Sequence, residues 1–310
     1  MIFQSFNATM LTSSPASVPP PELRHLSANG LSLAYFEWHA ERRGSQPSLF
    51  LIHATGFHAR VWDQVVACFA DRHVIALELR GHGRSSFAPF SSWQDFGEDV
   101  TAAARSLGLQ GAIGVGHSMG AHALVHAAAM LPDSFSRLVL IDPTLFAPQA
   151  YLQAPPVSDV PHPVSLRKNY FESPEEMFQR FADKVPYLAF QKEALRDYCF
   201  HGLLPTPDGK GFHLACAPTT EGQIYNSARR DRTLYNSIRA IDLPVRVIRA
   251  RASDPTILPF DTLGSPTWPA VAQEFRRGED IHLPERTHML PMEDPLLTAT
   301  LILGAPAPVI

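Results

Sequence analysis

Long apolar runs are missing from this chain of 310 residues. The longest, such as Ala121 to Leu131, contain histidines and fall well short of the ~20 residues that cross a bilayer. The sequence therefore argues against a membrane-spanning protein. Cysteine is scarce too, with Cys68, Cys199 and Cys216 widely spaced and odd in number. No C-x-x-C pair accompanies them, which excludes a disulfide framework or a zinc ribbon and predicts reduced, buried thiols in a cytoplasmic compartment. Cys68 falls in the helical pattern Trp62 to Phe69, where it serves as a small apolar residue rather than a nucleophile. Neither sign of charge gathers into a long block, the totals being 26 basic and 30 acidic residues. Nucleic acid and anionic membrane are accordingly poor partners. Met1 to Leu23 lacks lysine and arginine and ends in Pro15, Pro19, Pro20 and Pro21. Without a basic n-region this is no signal peptide, and residues 1–22 read as a flexible N-terminal tail. There is no G-x-x-x-x-G-K-[ST], no G-x-G-x-x-G and no metal-ligand cluster, so neither cofactor nor metal is expected.

What is present has a clear rhythm. Asn29-Gly30 separates two alternating runs, a hairpin signal. Leu49 to His53, Val74 to Leu79, Ala112 to Val115 and Arg137 to Ile141 are short apolar runs of the kind buried on both faces of a sheet. Helical patterns lie between them at Arg60 to Phe69, Trp93 to Leu107 and Ser118 to Leu131. This alternation predicts an α/β fold with a mostly parallel twisted sheet and helices on both faces. From about Phe146 to Ile241 the rhythm breaks. Helical patterns at Pro174 to Lys184 and Gln191 to Phe200 occur there without a convincing strand. The rhythm returns with a strand at Leu243 to Ile248, a helix near Pro269 to Arg276, a strand at Ile281 to Leu283 and a helix after Pro291. The expected organisation is a core at 23–145 and 242–310, with a helical cap at 146–241 inserted after the sixth strand.

The segment Gly116-His117-Ser118-Met119-Gly120 joins a predicted strand to an alanine-rich helix. Such a turn is crowded, and glycines flanking the serine remove the Cβ atoms that would collide, which is the logic of a nucleophile elbow. A serine hydroxyl is a weak nucleophile at neutral pH. It needs a base within hydrogen-bond reach and a carboxylate that orients the base. With this elbow the acid follows a later strand and the histidine comes last. Asp254 follows the Val245 to Ala250 strand and His288 follows the Ile281 strand.

With His53-Ala54-Thr55-Gly56-Phe57, Arg80-Gly81-His82-Gly83-Arg84-Ser85 and Thr287-His288-Met289 in order around that elbow, the chain from Leu23 onward resembles an α/β-hydrolase. The resemblance implies Ser118 as nucleophile, His288 as general base and then acid, and Asp254 as the group holding the imidazole. Relatives often carry a glycine after the acid strand and the acid three positions on. Here Ala250 and Ser253 fall there, so a loop one residue longer would be needed. Asp142, after the preceding strand, is an alternative acid, and Asp261 is an outsider. His53, His82, His117, His122 and His282 also stand near motifs and read as structural, as does Glu78 beside the Arg80 loop.

Acyl transfer passes through an oxyanion, and each preorganised N–H donor contributes about 3–4 kcal/mol to lowering the barrier. The expected donors are the backbone N–H of Met119 and one from the loop after Leu49, Thr55 being preferred over Gly56 or Phe57. Serine rather than aspartate at the elbow separates the chain from haloalkane dehalogenases and most epoxide hydrolases. The aromatic-rich insertion would then shape the pocket, with Phe57, His117, Phe146, Phe178 and Phe181 as candidate lining. Arg229, Arg230 and Arg232 read as a solvated face, with binding of a substrate carboxylate as the alternative. The leading reading is a carboxylic-ester hydrolase that takes a small, apolar or aromatic ester through an acyl-enzyme. The competing readings are a carbon-carbon hydrolase of a ring-cleavage diketone and a ligand sensor on a hydrolase scaffold.

Overall fold

The computed structural model of the protein describes residues 19–69, 71–154, 160–257 and 261–304. The tail expected at 1–22 lies outside the described residues up to position 18, and the first strand already starts at Glu22. Eight strands form the main sheet: β1 (Glu22–Ala28), β2 (Leu31–Trp38), β3 (Leu49–Ile52), β4 (Val74–Leu77), β5 (Ala112–His117), β6 (Phe135–Ile141), β10 (Val245–Arg249) and β11 (Gly278–His282). Their order is β1-β2-β4-β3-β5-β6-β10-β11. The β1–β2 hairpin turns on Asn29 and Gly30, both at positive φ, as a tight two-residue turn requires. From β4 onward the pairing is parallel, in registers such as Leu49↔Val74, Leu49↔Ile113 and Val245↔Leu138. Every residue of β3, β4 and β5 is buried, which is why these strands read as continuous apolar runs.

Helices cover both faces. Helix α1 (Asp63–Val66), α2 (Gln94–Ser106) and α3 (Met119–Met130) alternate with the strands. The segment expected as one helix over Arg60 to Phe69 is a 3-10 turn at Ala59–Trp62 followed by α1. Likewise, the helix expected near Pro269 is a single 3-10 turn at Val271–Glu274. One apolar layer packs Phe96, Val100, Leu124 and Ile238 beneath the sheet, and the other packs Trp62, Val65, Leu301 and Ile302 above it.

Between β6 and β10 lie α4 (Pro148–Leu152), α5 (Pro174–Phe181), α6 (Lys192–His201), α7 (Pro218–Ser227) and α8 (Leu234–Ala240). The insertion is largely helical but also holds three short antiparallel strands, β7 (Tyr170–Phe171), β8 (Leu203–Pro205) and β9 (Phe212–Leu214), in the order β7-β9-β8. Strands this short are invisible to periodicity. β8 and β9 turn through Pro207-Asp208-Gly209, with Gly209 at positive φ. Beyond β11, α9 (Leu290–Glu293) and α10 (Pro295–Leu303) close the core. Among the described residues, no helix is long and apolar enough to cross a membrane.

Candidate active site

The turn from β5 into α3 is sharp. Ser118 sits at φ 55° and ψ −117°, a conformation that costs a non-glycine residue about 1–3 kcal/mol. Its neighbours explain how the turn is accommodated. A Cβ on Gly116 would stand 2.4 Å from Ala121 Cα, and one on Gly120 would stand 2.4 Å from the His53 carbonyl oxygen. Both contacts are with backbone and cannot rotate away. Gly120→Ala is therefore expected to lower unfolding free energy by about 3 kcal/mol in urea denaturation, the upper end of ordinary overpacking. An unchanged midpoint would show that α3 can slide from β3.

Ser118, Asp142 and His288 meet at the carboxyl ends of the strands. His288 Nε2 lies 3.1 Å from Ser118 Oγ, and His288 Nδ1 lies 2.6 Å from Asp142 Oδ2. Asp142 is buried at the end of β6 with its backbone at φ 41°. Its other oxygen, Oδ1, accepts the Ala250 N–H at 2.9 Å and the Ser265 hydroxyl at 2.5 Å. Burial alone would raise the Asp142 carboxyl. The hydrogen bonds from His288, Ser265 and Ala250 outweigh it and hold the group below the ordinary carboxylate range.

Asp254, the acid expected from the chain order, is elsewhere. It is exposed on the loop after β10, where its Oδ1 accepts the N–H and hydroxyl of Thr256 at 2.8 and 2.7 Å. These two bonds cap its own turn and keep the carboxyl below its usual range. Asp261, the outsider, is spent on Arg251 at 2.7 and 3.0 Å. The expected placement of Asp254 is thus corrected. The loop after β10 sends its Ala250 N–H to Asp142 instead of sending a carboxylate to His288. Position gave the signal for Asp142, which follows the last residue of a buried strand on the same sheet edge as Ser118. Nothing in the sequence singled out Ser265, or Thr144, whose hydroxyl lies 3.0 Å from Ser118 Oγ.

The loop after β3 is held by histidines. His82 Nδ1 donates to the Arg80 carbonyl at 3.0 Å, which leaves Nε2 to accept the Gly56 N–H at 3.0 Å. Burial pushes the His82 imidazole down to about 4, so this acceptor stays neutral at ordinary pH. The Phe57 N–H is engaged by the Ala54 carbonyl. Among the described residues, no protein hydrogen bond engages the N–H of Thr55 or of Met119, the first residue of α3. The two residues touch, Thr55 Oγ1 lying 3.4 Å from Met119 Sδ.

Of the candidate pocket residues, His117 lies beside His288, the ring centroids 5.0 Å apart. His117 Nε2 donates to the His288 carbonyl at 2.8 Å, and burial followed by the His288 charge pushes His117 down to about 3. Phe57 packs against His117 and against Phe190 and Tyr198 of the insertion. Phe181 stacks on Tyr187 at 4.3 Å, inside the same aromatic cluster. Phe178 lies under Arg196 and Phe146 under Arg229. Reasoning from sequence also missed Arg167, whose guanidinium pairs at 2.9 Å with buried Glu221 of α7. Glu221 in turn presses on Gly56, where a Cβ would stand 2.5 Å from its Oε1.

Comparisons with known proteins agree with this architecture. The profile of the alpha/beta hydrolase family matches residues 49–301. The chain is 26% identical over 232 residues to a 2-(acetamidomethylene)succinate hydrolase of Mesorhizobium japonicum, covering 74% of this chain and 79% of that one. It is 26% identical over 239 residues to an esterase of Mycobacterium tuberculosis, covering 76% and 74%. Among solved structures, E-2-(acetamidomethylene)succinate hydrolase superposes with a TM-score of 0.68 at 22% identity, covering 92% of this chain and all of that one. A profile match spanning most of the chain, on a sheet of this topology with a serine elbow at its centre, makes the protein a member of the alpha/beta hydrolase family.

Proposed function

We propose that the protein is a serine hydrolase that cleaves a carboxylic ester through an acyl-enzyme. The observation that carries this reading is His288, which bridges Ser118 Oγ at 3.1 Å and Asp142 Oδ2 at 2.6 Å. In this arrangement the Ser118 hydroxyl attacks the ester carbonyl while His288 Nε2 takes its proton. Asp142 accepts from Nδ1–H and stabilises the imidazolium that forms. The tetrahedral oxyanion sits between the N–H groups of Thr55 and Met119, the second lying at a helix N-terminus where negative charge is favoured. On collapse the C–O bond breaks and His288 returns the proton to the leaving alcohol. Water, deprotonated by His288, then attacks the acyl-enzyme and releases the acid and Ser118.

Phe57, Phe190, Tyr187 and Tyr198 form an aromatic cluster that reaches His117, and such a wall beside the serine would suit an apolar or aromatic acyl or alcohol group. A fluorophosphonate, which mimics the tetrahedral intermediate, is expected to inactivate the protein at one equivalent and to leave its mass on the peptide containing Ser118. Hydrolysis of p-nitrophenyl esters should fall in parallel. Hydrolysis that survives complete labelling of Ser118, or an adduct elsewhere, overturns the reading. A panel of esters, amides, lactones and vinylogous diketones then fixes the bond class.

A further inference from the structure

Away from the catalytic cluster, three ligating side chains converge in the core below the elbow. His122 and His126 stand one turn apart on α3, and Asp231 reaches them from the segment between α7 and α8. The side chains of His122 and Asp231 are fully buried, and that of His126 is 8% exposed. Both imidazoles address a single carboxylate oxygen, Asp231 Oδ2, His122 Nε2 at 2.9 Å and His126 Nε2 at 2.5 Å. Each group is also held at its far atom. His122 Nδ1 lies 3.3 Å from the Thr144 carbonyl, and His126 Nδ1 lies 3.0 Å from Ser237 Oγ. Asp231 Oδ1 accepts the N–H and hydroxyl of Thr233 at 3.0 and 2.8 Å.

Polarity decides what the cluster needs. A carbonyl can only accept, so Thr144 is satisfied when His122 carries its proton on Nδ1. A neutral His122 then turns its Nε2 lone pair toward a carboxylate oxygen, two acceptors face to face. Among the described residues no lysine or arginine forms a salt bridge with Asp231, whose buried carboxylate is met by the two imidazoles and by Thr233. A positive charge shared between His122 Nε2 and Asp231 Oδ2 would relieve that contact. A proton on His122 would serve that one contact, whereas a metal ion would engage both imidazoles and the carboxylate oxygen, whose ligand atoms lie within 4.8 Å of one another.

We infer that His122, His126 and Asp231 form a site for a divalent transition-metal ion such as zinc, joining α3 to the insertion. Two imidazoles and one carboxylate are a common donor set for such ions. The outer contacts follow the pattern of metal-bound histidines, each giving its other N–H to an oxygen that fixes tautomer and orientation. Bonds of about 2.0–2.2 Å in tetrahedral geometry place ligand atoms roughly 3.3 Å apart, so the groups must part by under about 1 Å on metal entry. A second group, Asp63, Asp197 and His201, also clusters. There the Asp63 carboxylate already holds the Arg60 guanidinium at 2.8 Å through both oxygens, so a cation occupies the place a metal would take.

The test uses the untagged full-length chain, stripped with a chelator and titrated with Zn2+ against a chromophoric competitor. One equivalent is expected to bind and to raise Tm. His126→Asn and Asp231→Asn are expected to abolish uptake, Ser237→Ala to weaken it about tenfold, and Asp197→Asn to leave it unchanged. Cu2+ bound to the wild type should show two imidazole nitrogens by electron paramagnetic resonance, a readout that does not depend on any variant folding. Lack of saturable Zn2+ uptake, uptake that survives both ligand variants, uptake lost in Asp197→Asn, or fewer than two imidazoles on Cu2+ would each overturn the assignment.

Discussion

Asp142→Asn is expected to lower kcat about 10⁴-fold, whereas Asp254→Asn should leave it within about a factor of two. The first figure is what removal of the orienting carboxylate costs when the imidazole is left in the wrong tautomer. Asparagine fills the same space, but its amide can present N–H to His288 Nδ1, and Nε2 then carries the proton that it should be taking from Ser118. Asp254 touches neither group, its carboxylate being engaged by Thr256 in an exposed turn. Steady-state kinetics on a p-nitrophenyl ester with the two variants decides between the two acids. The reverse ranking would return the role to the loop after β10.

A second readout follows from linkage. The folded Asp142 carboxyl is held below its ordinary range, so the stability it contributes is present above the unfolded value of about 3.9 and is lost as pH falls through the folded value. Asp142→Asn should therefore flatten the acid side of the stability profile, whatever its effect on turnover.

Ser118→Ala is expected to have the largest effect, a fall in kcat of about 10⁶-fold. Under the proposed mechanism the attacking oxygen is gone, and what remains is the polarisation of a bound carbonyl by the N–H donors of Thr55 and Met119. Binding should survive, because the aromatic wall and the loop after β3 do not depend on the hydroxyl. Equilibrium binding of a product acid or a non-cleavable ether analogue should therefore stay within about threefold while turnover disappears. A variant that still hydrolyses at more than about a thousandth of the wild-type rate would mean that another group carries the acyl chain. Wild-type protein that binds tightly and never turns over would favour the sensor reading.

The order of strands and helices was legible because the central strands are buried on both faces and the helices between them repeat at 3.6 residues. The elbow was legible for the same local reason, two glycines and a serine being forced by crowding within five residues. His288 followed from its position at the end of the last strand. The acid did not. Asp142 and Asp254 each follow a core strand, and the choice between them rests on tertiary contacts from Ala250, Ser265 and Thr267, residues more than a hundred positions away. The three strands of the insertion escaped because two or three residues cannot display a period. The pairing of Arg167 with Glu221 and the approach of Asp231 to His122 and His126 escaped because partners so distant in sequence leave no local trace.

Phe57 deserves its place in the loop for a mechanical reason. It stands two residues past Thr55 and is wedged between His117 of the core and Phe190 and Tyr198 of the insertion. Glu221 of α7 lies beside the same loop at Gly56. The loop after β3 and the aromatic side chains of the insertion are therefore joined through one residue. Under the proposed mechanism, a guest that fits the aromatic cluster well is expected to keep the Thr55 N–H aligned, and one that fits it badly to tilt that N–H away. On that reading, discrimination between guests is expected in how fast the bound molecule reacts as well as in how tightly it is held.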